Sequence, residues 1–218
     1  VDPKWMPFSA IVDGKYIGVD ADYIDIFEKK LGIQINIYNT QSRSQSIGFA
    51  KAKKCDFLSM AVQTEQRSEY LNFTQPYFYF TNVLVTKINK RMGTDLKYLK
   101  NKKIAIVRDY AEAELIKKKY PNLEVIEVEN MQDGLDKVEN QDVYGFVENS
   151  VVIDHYFQKE DYVKFKIGHY YSEKSDLRLG VRNDDIILYG IFEKILQDIP
   201  LQEQRFIRSK WFSTRYSE

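Results

Sequence analysis

Apolar positions along this chain switch repeatedly between a helical and a strand-like period. Ile24, Phe27 and Leu31 recur at helical spacing, and Gly32 behind them suits the left-handed residue that ends a helix. Asp20 or Asp22 is the expected cap at the other end. Ile33, Ile35 and Ile37 alternate with polar residues and predict a strand. Residues 42–54 are polar and then helical, and residues 57–62 form a short apolar run that reads as a buried strand. Upstream, Gly14 and Gly18 bracket a hairpin-like turn. The opening loop holds Pro3, Pro7 and an exposed-looking Trp5, and is expected to leave the end of a first strand that lies largely upstream. Loop, helix and strand in this order begin an α/β pattern.

The pattern continues after an aromatic stretch at 77–80 and a strand at 83–86, followed by a charged, linker-like segment at 87–101. Strands are predicted at 102–107, 123–128, 143–147 and 162–167. Helices are predicted at 111–120, along the face Met131, Leu135 and Val138, and at 150–157, with Asn149 as candidate cap. Leu177, Leu179 and Val181 mark one more strand. Asn183, Asp184 or Asp185 then caps a helix over 186–199 whose stripe is Ile187, Ile191, Ile195 and Ile199. Pro200 suits the first turn of a last helix ending in Arg208-Ser-Lys-Trp-Phe212. Two α/β series and a helical tail predict two lobes, and the carboxyl ends of their strands would face a common cleft.

Composition narrows the function. Lys and Arg number 32, as do Asp and Glu, and no long basic run appears, which argues against nucleic acid as a partner. With 44% hydrophobic residues the chain is too apolar for disorder. No apolar run reaches the roughly 18 residues that cross a bilayer, and no signal-peptide pattern opens the chain. Cys55 is alone, so no intrachain disulfide is expected. His155 and His169 stand apart from any Cys or carboxylate at metal-ligand spacing and read as structural. No metal site, cofactor or catalytic residue is assigned, since hydrolase, zinc-protease, P-loop and dinucleotide motifs are all absent.

Candidate chemistry concentrates between Thr64 and Lys87. Thr64 can cap a helix that starts where the 57–62 strand ends. A guanidinium at Arg67, beside free backbone N–H groups, makes a bidentate carboxylate receiver. The alternative is a surface arginine on a helix's first turn.

Thr64-Glu-Gln-Arg67 followed by Phe73-Thr-Gln-Pro-Tyr77 resembles the signature of bacterial extracellular solute-binding proteins, the polar amino-acid-binding family with the type II periplasmic binding fold. The likeness extends over nearly the whole chain. Asp2-Pro-Lys-Trp-Met-Pro-Phe8, Gly18-Val-Asp20, Leu31-Gly32, Cys55-Asp56, Lys102-Lys-Ile-Ala-Ile106, Asn149-Ser150, Gly180-Val-Arg182 and Lys210-Trp-Phe212 match in order and spacing. The resemblance implies an α/β clamshell of two lobes, each a mixed sheet flanked by helices. Lobe 1 would be residues 1–84 with 181–218, and lobe 2 residues 85–180, joined by hinge strands at 83–87 and 177–182.

It also implies a ligand site. Arg67 would grip a ligand carboxylate, and Trp5 would pack on the ligand body, with ordinary lobe packing as the alternative. Phe8 or Tyr77 would help Trp5, and Asp2 would contact a basic or amide tail or serve as a loop cap. Met60 and Val62 would offer backbone groups, although family members commonly place a hydroxyl where Val62 stands. Tyr110, after Asp109, begins the first lobe 2 helix where the family often has Gly-Thr-Thr. Asn149 stands where the family has an acidic residue for the ligand α-amino group, and can accept a hydrogen bond without supplying charge. These departures widen the ligand from an α-amino acid to any small carboxylate.

The expected function is therefore an extracytoplasmic, periplasmic clamshell for a small carboxylate-bearing solute. The stretch around Arg67, Gly180-Val-Arg-Asn-Asp184 and Arg208-Ser-Lys-Trp-Phe212 are similar to the sensor domains of membrane histidine kinases and diguanylate cyclases. The abrupt opening Val1-Asp2-Pro3 fits an excised module, whose partner would be a membrane-anchored signalling module. The alternative is a free substrate-binding protein that serves an ABC transporter permease. A cyclohexadienyl-dehydratase-like enzyme, with Glu148 as general acid, is a further alternative.

Overall fold

The structure is a computed structural model that describes residues 1–91, 93, 96–99, 101–158 and 162–212, with Glu173 described by its backbone alone. Lys4–Trp5 (β1), Ser9–Val12 (β2) and Lys15–Ile17 (β3) form a small antiparallel sheet in that order. Asp13 and Gly14 turn its hairpin, both at positive φ, 51° and 74°. Gly18 has φ 117°, and a Cβ there would lie 2.7 Å from the Phe8 carbonyl carbon, so only glycine lets the chain pass.

Val19–Leu31 (α1) follows, ended by Gly32 at φ 67° as its sequence requires. Its N-cap is Gly18, with no side-chain cap. This corrects the expected capping by Asp20 or Asp22. Asp20 is buried and accepts hydrogen bonds from Tyr16 and Ser59. Asp22 accepts from Trp211 Nε1 at 2.7 Å.

Ile33, Ile35 and Ile37 do not form the expected strand. The Ile35 N–H donates to Glu28 Oε1 at 2.6 Å rather than to a ladder. Alternation makes a segment fit for a sheet, but a strand also needs a partner edge. Arg43–Lys51 (α2) is capped by Ser42, whose side chain accepts from the Gln45 N–H. Phe57–Ala61 (β4), Glu65–Ser68 (α3) and Leu71–Phe73 (β5) complete this part.

Phe78–Lys87 (β6) leads on to Lys103–Val107 (β7), Ala111–Lys119 (α4), Glu124–Val128 (β8), Met131–Glu139 (α5), Gly145–Asn149 (β9) and Ser150–Phe157 (α6). Phe165–Arg182 (β10) is one strand of 18 residues where two shorter strands were expected. Ile186–Gln197 (α7) and Leu201–Trp211 (α8) close the chain. Pro200 sits at the N-cap of α8, and Asp185 caps α7 by accepting from the Leu188 N–H.

The chain divides into two compact units, residues 1–79 with 176–218 and residues 80–175. In unit 1 the last part of β10 pairs antiparallel with β4 (Arg178 opposite Ala61) and β5 (Gly180 opposite Phe73). Phe8 is fully buried there, 4.4 Å from Trp5 in a stack and 5.1 Å from Phe78 edge-on. Trp5 is therefore buried, not exposed as its loop suggested. The α7 stripe is also corrected. Ile187 and Ile191 are exposed, and the buried face is Phe192, Ile195, Leu196 and Ile199, with Phe192 against Phe27.

In unit 2 the strands run β6-β9-β7-β8, with β7 parallel to both neighbours and β6 antiparallel to β9. Both faces are covered. Val83, Val85, Ala105 and Val107 pack with Leu135, Val138 and Ile153, while Leu84, Ile104 and Ile106 pack with Ala113 and Leu123. Two buried faces explain why these strands read as unbroken apolar runs.

Two stability tests follow from unit 1. Gly18→Ala should cost about 2 kcal/mol or more, from the left-handed backbone and the close Phe8 carbonyl. Urea unfolding that gives less than about 0.5 kcal/mol would disprove the close approach. Trp211→Phe should cost about 1.5–3 kcal/mol because it strips a hydrogen bond from a carboxylate. Lys210→Met breaks only an exposed ion pair with Asp22 and should cost under about 1 kcal/mol. Equal losses in the two variants would show that the indole is not the tether.

Candidate functional site

Arg67 is placed by a short local device. β4 ends at Ala61, and Thr64 caps α3 by accepting from the Arg67 N–H at 3.2 Å. This fixes the backbone of α3, and Arg67 Nη1 then donates to the Val62 carbonyl at 2.8 Å. The guanidinium is thus oriented, and only 6% of the residue is exposed. Val62 contributes through its carbonyl, which Arg67 already occupies.

Met60 lies at φ 46°, and its N–H donates to the Tyr77 hydroxyl at 3.0 Å. Burial, then the Asp20 charge, pushes the Tyr77 hydroxyl well above its ordinary pKa. Tyr77 also meets Tyr23 edge-on at 4.9 Å. Burial likewise raises the Asp20 carboxyl, against the opposing hydrogen bonds from Ser59 and Tyr16. Asp2 is a loop organiser, since its Oδ1 accepts from the Lys4 N–H and its carbonyl from Ser9 Oγ. Arg67 with Val62, Met60 with Tyr77, and Trp5 with Phe8 are therefore three contacting pairs within unit 1.

Tyr110 and Asn149 belong to unit 2. Tyr110 is the N-cap residue of α4 but makes no side-chain cap, and Asp109 before it has φ 60°. Asp109 is thus not the cap. Asn149 is 1% exposed and caps α6, its Oδ1 accepting from the Val151 and Val152 N–H groups at 2.8 and 3.4 Å. Its acceptor is thereby engaged, and Nδ2, a donor, is the atom with no partner. This reverses the expectation of Asn149 as an acceptor for a ligand. Glu148 is buried, and its Oε1 accepts from the Asn149 N–H at 2.8 Å.

Sequence reasoning missed one polar residue opposite Asn149, Asn82, and two more that accept from it, Glu112 and Ser175. Asn82 is the register partner of Asn149 across β6 and β9. Its Nδ2 donates to Glu112 Oε1 at 3.3 Å and to Ser175 Oγ at 3.2 Å. Glu112 is 9% exposed although it lies in the first turn of a charged helix. One signal was legible in the sequence. Asn82 is a polar residue immediately before Val83-Leu84-Val85, where a buried strand has no use for an amide unless it has partners.

A cavity of about 460 Å³ lies elsewhere in unit 1, lined by residues of the 33–40 segment and by Cys55 to Ser59 of the β4 region. None of the predicted site residues lines it. His155 packs edge-on against Tyr156, and His169 against Tyr171. Among the described residues no three His, Cys, Asp or Glu are grouped to hold a metal ion. No helix among them is long and apolar enough to cross a membrane.

Comparison with known proteins matches residues 1–214 to the family described as bacterial extracellular solute-binding proteins, family 3. The virulence sensor protein BvgS of Bordetella pertussis is 21% identical over 94% of this chain. The chain spans only 17% of the length of that relative. A probable histidine-binding protein of Campylobacter jejuni is 30% identical over 48% of this chain and 41% of its own. The solved periplasmic VFT2 domain of B. pertussis BvgS superposes with TM-score 0.83 at 21% identity, covering 96% of this chain and 90% of that one. The ancestral amino-acid-binding protein AncCDT-1, a precursor of cyclohexadienyl dehydratase, gives 0.81 at 21% identity, covering 97% and 92%. With the family matched along almost its whole length, the chain belongs to the bacterial extracellular solute-binding proteins of family 3 and has their Venus flytrap fold.

Proposed function

We propose that this chain is the ligand-sensing, extracytoplasmic module of a membrane signal-transduction protein, and that it recognises a small carboxylate-bearing solute such as an amino acid or a related compound. Arg67 carries the reading. The guanidinium is buried and oriented by the Val62 carbonyl, and its planar fork is the group whose geometry matches a carboxylate. In this reading Met60, Val62, Asp2, Trp5, Phe8 and Tyr77 are the further candidate ligand contacts of unit 1, and Tyr110 and Asn149 are the candidates of unit 2. The ligand acts by stabilising one conformer of the chain over another, so no chemistry on it is needed. The sensor use is supported by BvgS, in which the matching stretch is a small part of a long sensor protein. Use as a free binding protein for a transporter is the second reading, favoured by the match to the C. jejuni protein.

Thermal unfolding with a panel of amino acids and small carboxylates, on wild type and Arg67→Lys, tests the carboxylate. A ligand at a hundredfold its dissociation constant adds about 2.7 kcal/mol. For a chain of this length that raises Tm by roughly 5–10 °C. The shift should appear for one compound class and shrink strongly in Arg67→Lys, which keeps charge and loses the two-pronged geometry. A full shift in the variant would remove Arg67 from the site.

A further inference from the structure

Two strand-like segments of unit 1 border the same void. The cavity of about 460 Å³ has β4 and residues 33–40 among its walls, with Ile24 of α1, Phe49 of α2 and Phe192 of α7. Close-packed interiors keep few voids larger than a water molecule. β4 stands at the end of its strand order, paired by β10 along one side. Among the described residues no strand lies along its other edge, yet Leu58, Ser59 and Met60 are buried. A buried edge leaves main-chain groups to be satisfied. Residues 33–37 alternate apolar and polar positions, and Ile35 and Ile37 line the cavity half-buried. No backbone hydrogen bond joins them to a strand, and the Ile35 N–H turns to the Glu28 side chain instead.

Connectivity indicates what would fill the void. Residues 33–37, α2 and β4 follow one another as strand-like segment, helix and strand, and α1 comes before them. A strand ahead of α1 would complete a second such unit, and parallel strands joined by helices carry helices on their faces. Val1 itself lines the cavity, and its carbonyl accepts from Ser46 Oγ. Ser59, another wall residue, donates to Asp20 Oδ2, while Asp20 Oδ1 is a buried acceptor with no partner. Burial lowers the Val1 α-amino group below its ordinary value, and the Asp20 charge opposes this. A peptide nitrogen in that place would carry no charge and would need only an acceptor. In BvgS the matching stretch is 17% of the protein, so such a domain is continued there by further chain.

We propose that this cavity is the seat of a β-strand of about five residues, formed by the chain directly preceding Val1 in the full-length protein. The strand pairs with the open edge of β4 and gives residues 33–37 the ladder partner they lack. Asp20 Oδ1 accepts one of its N–H groups close to Val1. Covered on both faces, it is a nearly continuous run of aliphatic residues without charge or proline. This inference is independent of the ligand reading above.

Amide hydrogen exchange compares residues 1–218 with the protein extended upstream by its native sequence. Amides of residues 33–37 should exchange about a hundredfold more slowly in the longer protein. Ile104 and Val147 of unit 2 serve as the folding control and should be protected in both. Replacing two aliphatic residues of the upstream segment by Asp should return residues 33–37 to fast exchange and leave Ile104 and Val147 protected. Should residues 1–218 alone fail to fold, this Asp-substituted longer protein is the reference. Cys55, which lines the cavity, gives a second readout. Its alkylation by N-ethylmaleimide should be about tenfold slower in the longer protein than in the reference. Fast exchange at residues 33–37 in the longer protein, or an unchanged Cys55 rate, would overturn the proposal. Protection in residues 1–218 that grows with protein concentration would put a second copy in the seat and overturn it as well. A native upstream sequence that is polar or rich in proline would overturn it before any protein is made.

Discussion

Unit 1 depends on the close approach of Gly18 to Phe8. The Phe8 carbonyl accepts from the Asp20 N–H at 2.9 Å, which starts α1 directly from the opening loop. The Phe8 ring, with no exposure to solvent, meets Trp5, Phe78 and Phe212, so it joins the loop, β6 and the end of α8. Large aromatic surface removed from water supplies the attraction, and the missing Cβ at position 18 lets the backbones come near enough to use it. The tether from Trp211 to Asp22 then holds α8 against the same helix that Gly18 begins.

The candidate site follows the same logic of committed groups. At Arg67, Met60 and Asn149 one hydrogen-bonding function is spent on fixing geometry. At Asn149, what is left over defines what the residue can offer. For Asn149 this matters most, because capping α6 consumes the oxygen and leaves only the amide nitrogen. An amide is two opposite groups on one stem, and local backbone demand decides which of them faces outward.

That distinction separates what was legible in the sequence from what was not. Gly32 closing α1 and Thr64 capping α3 are local rules, and each operates as read. The apolar runs of unit 2 were legible because both sheet faces are covered. Residues 33–37 failed because a strand needs a partner edge, which alternation does not reveal. Trp5 was misplaced because its prolines signal a loop but not what covers it. Glu112 looked like one more charge on a solvated helix, since the Asn82 amide that donates to it is distant in sequence.

The division of the chain has a consequence for the order of assembly. Unit 2 is one contiguous stretch, residues 80–175, whereas unit 1 is split around it. Strand β4 must wait for its partner in β10, since Ala61 pairs with Arg178. At a synthesis rate of about 5–20 residues per second, that partner emerges several seconds after β4. The inserted unit can bury its own core during that interval, and its folding shortens the loop that unit 1 has to close. The domain would thus complete unit 2 before unit 1, with the edge of β4 waiting in the meantime for a strand synthesised after the inserted unit.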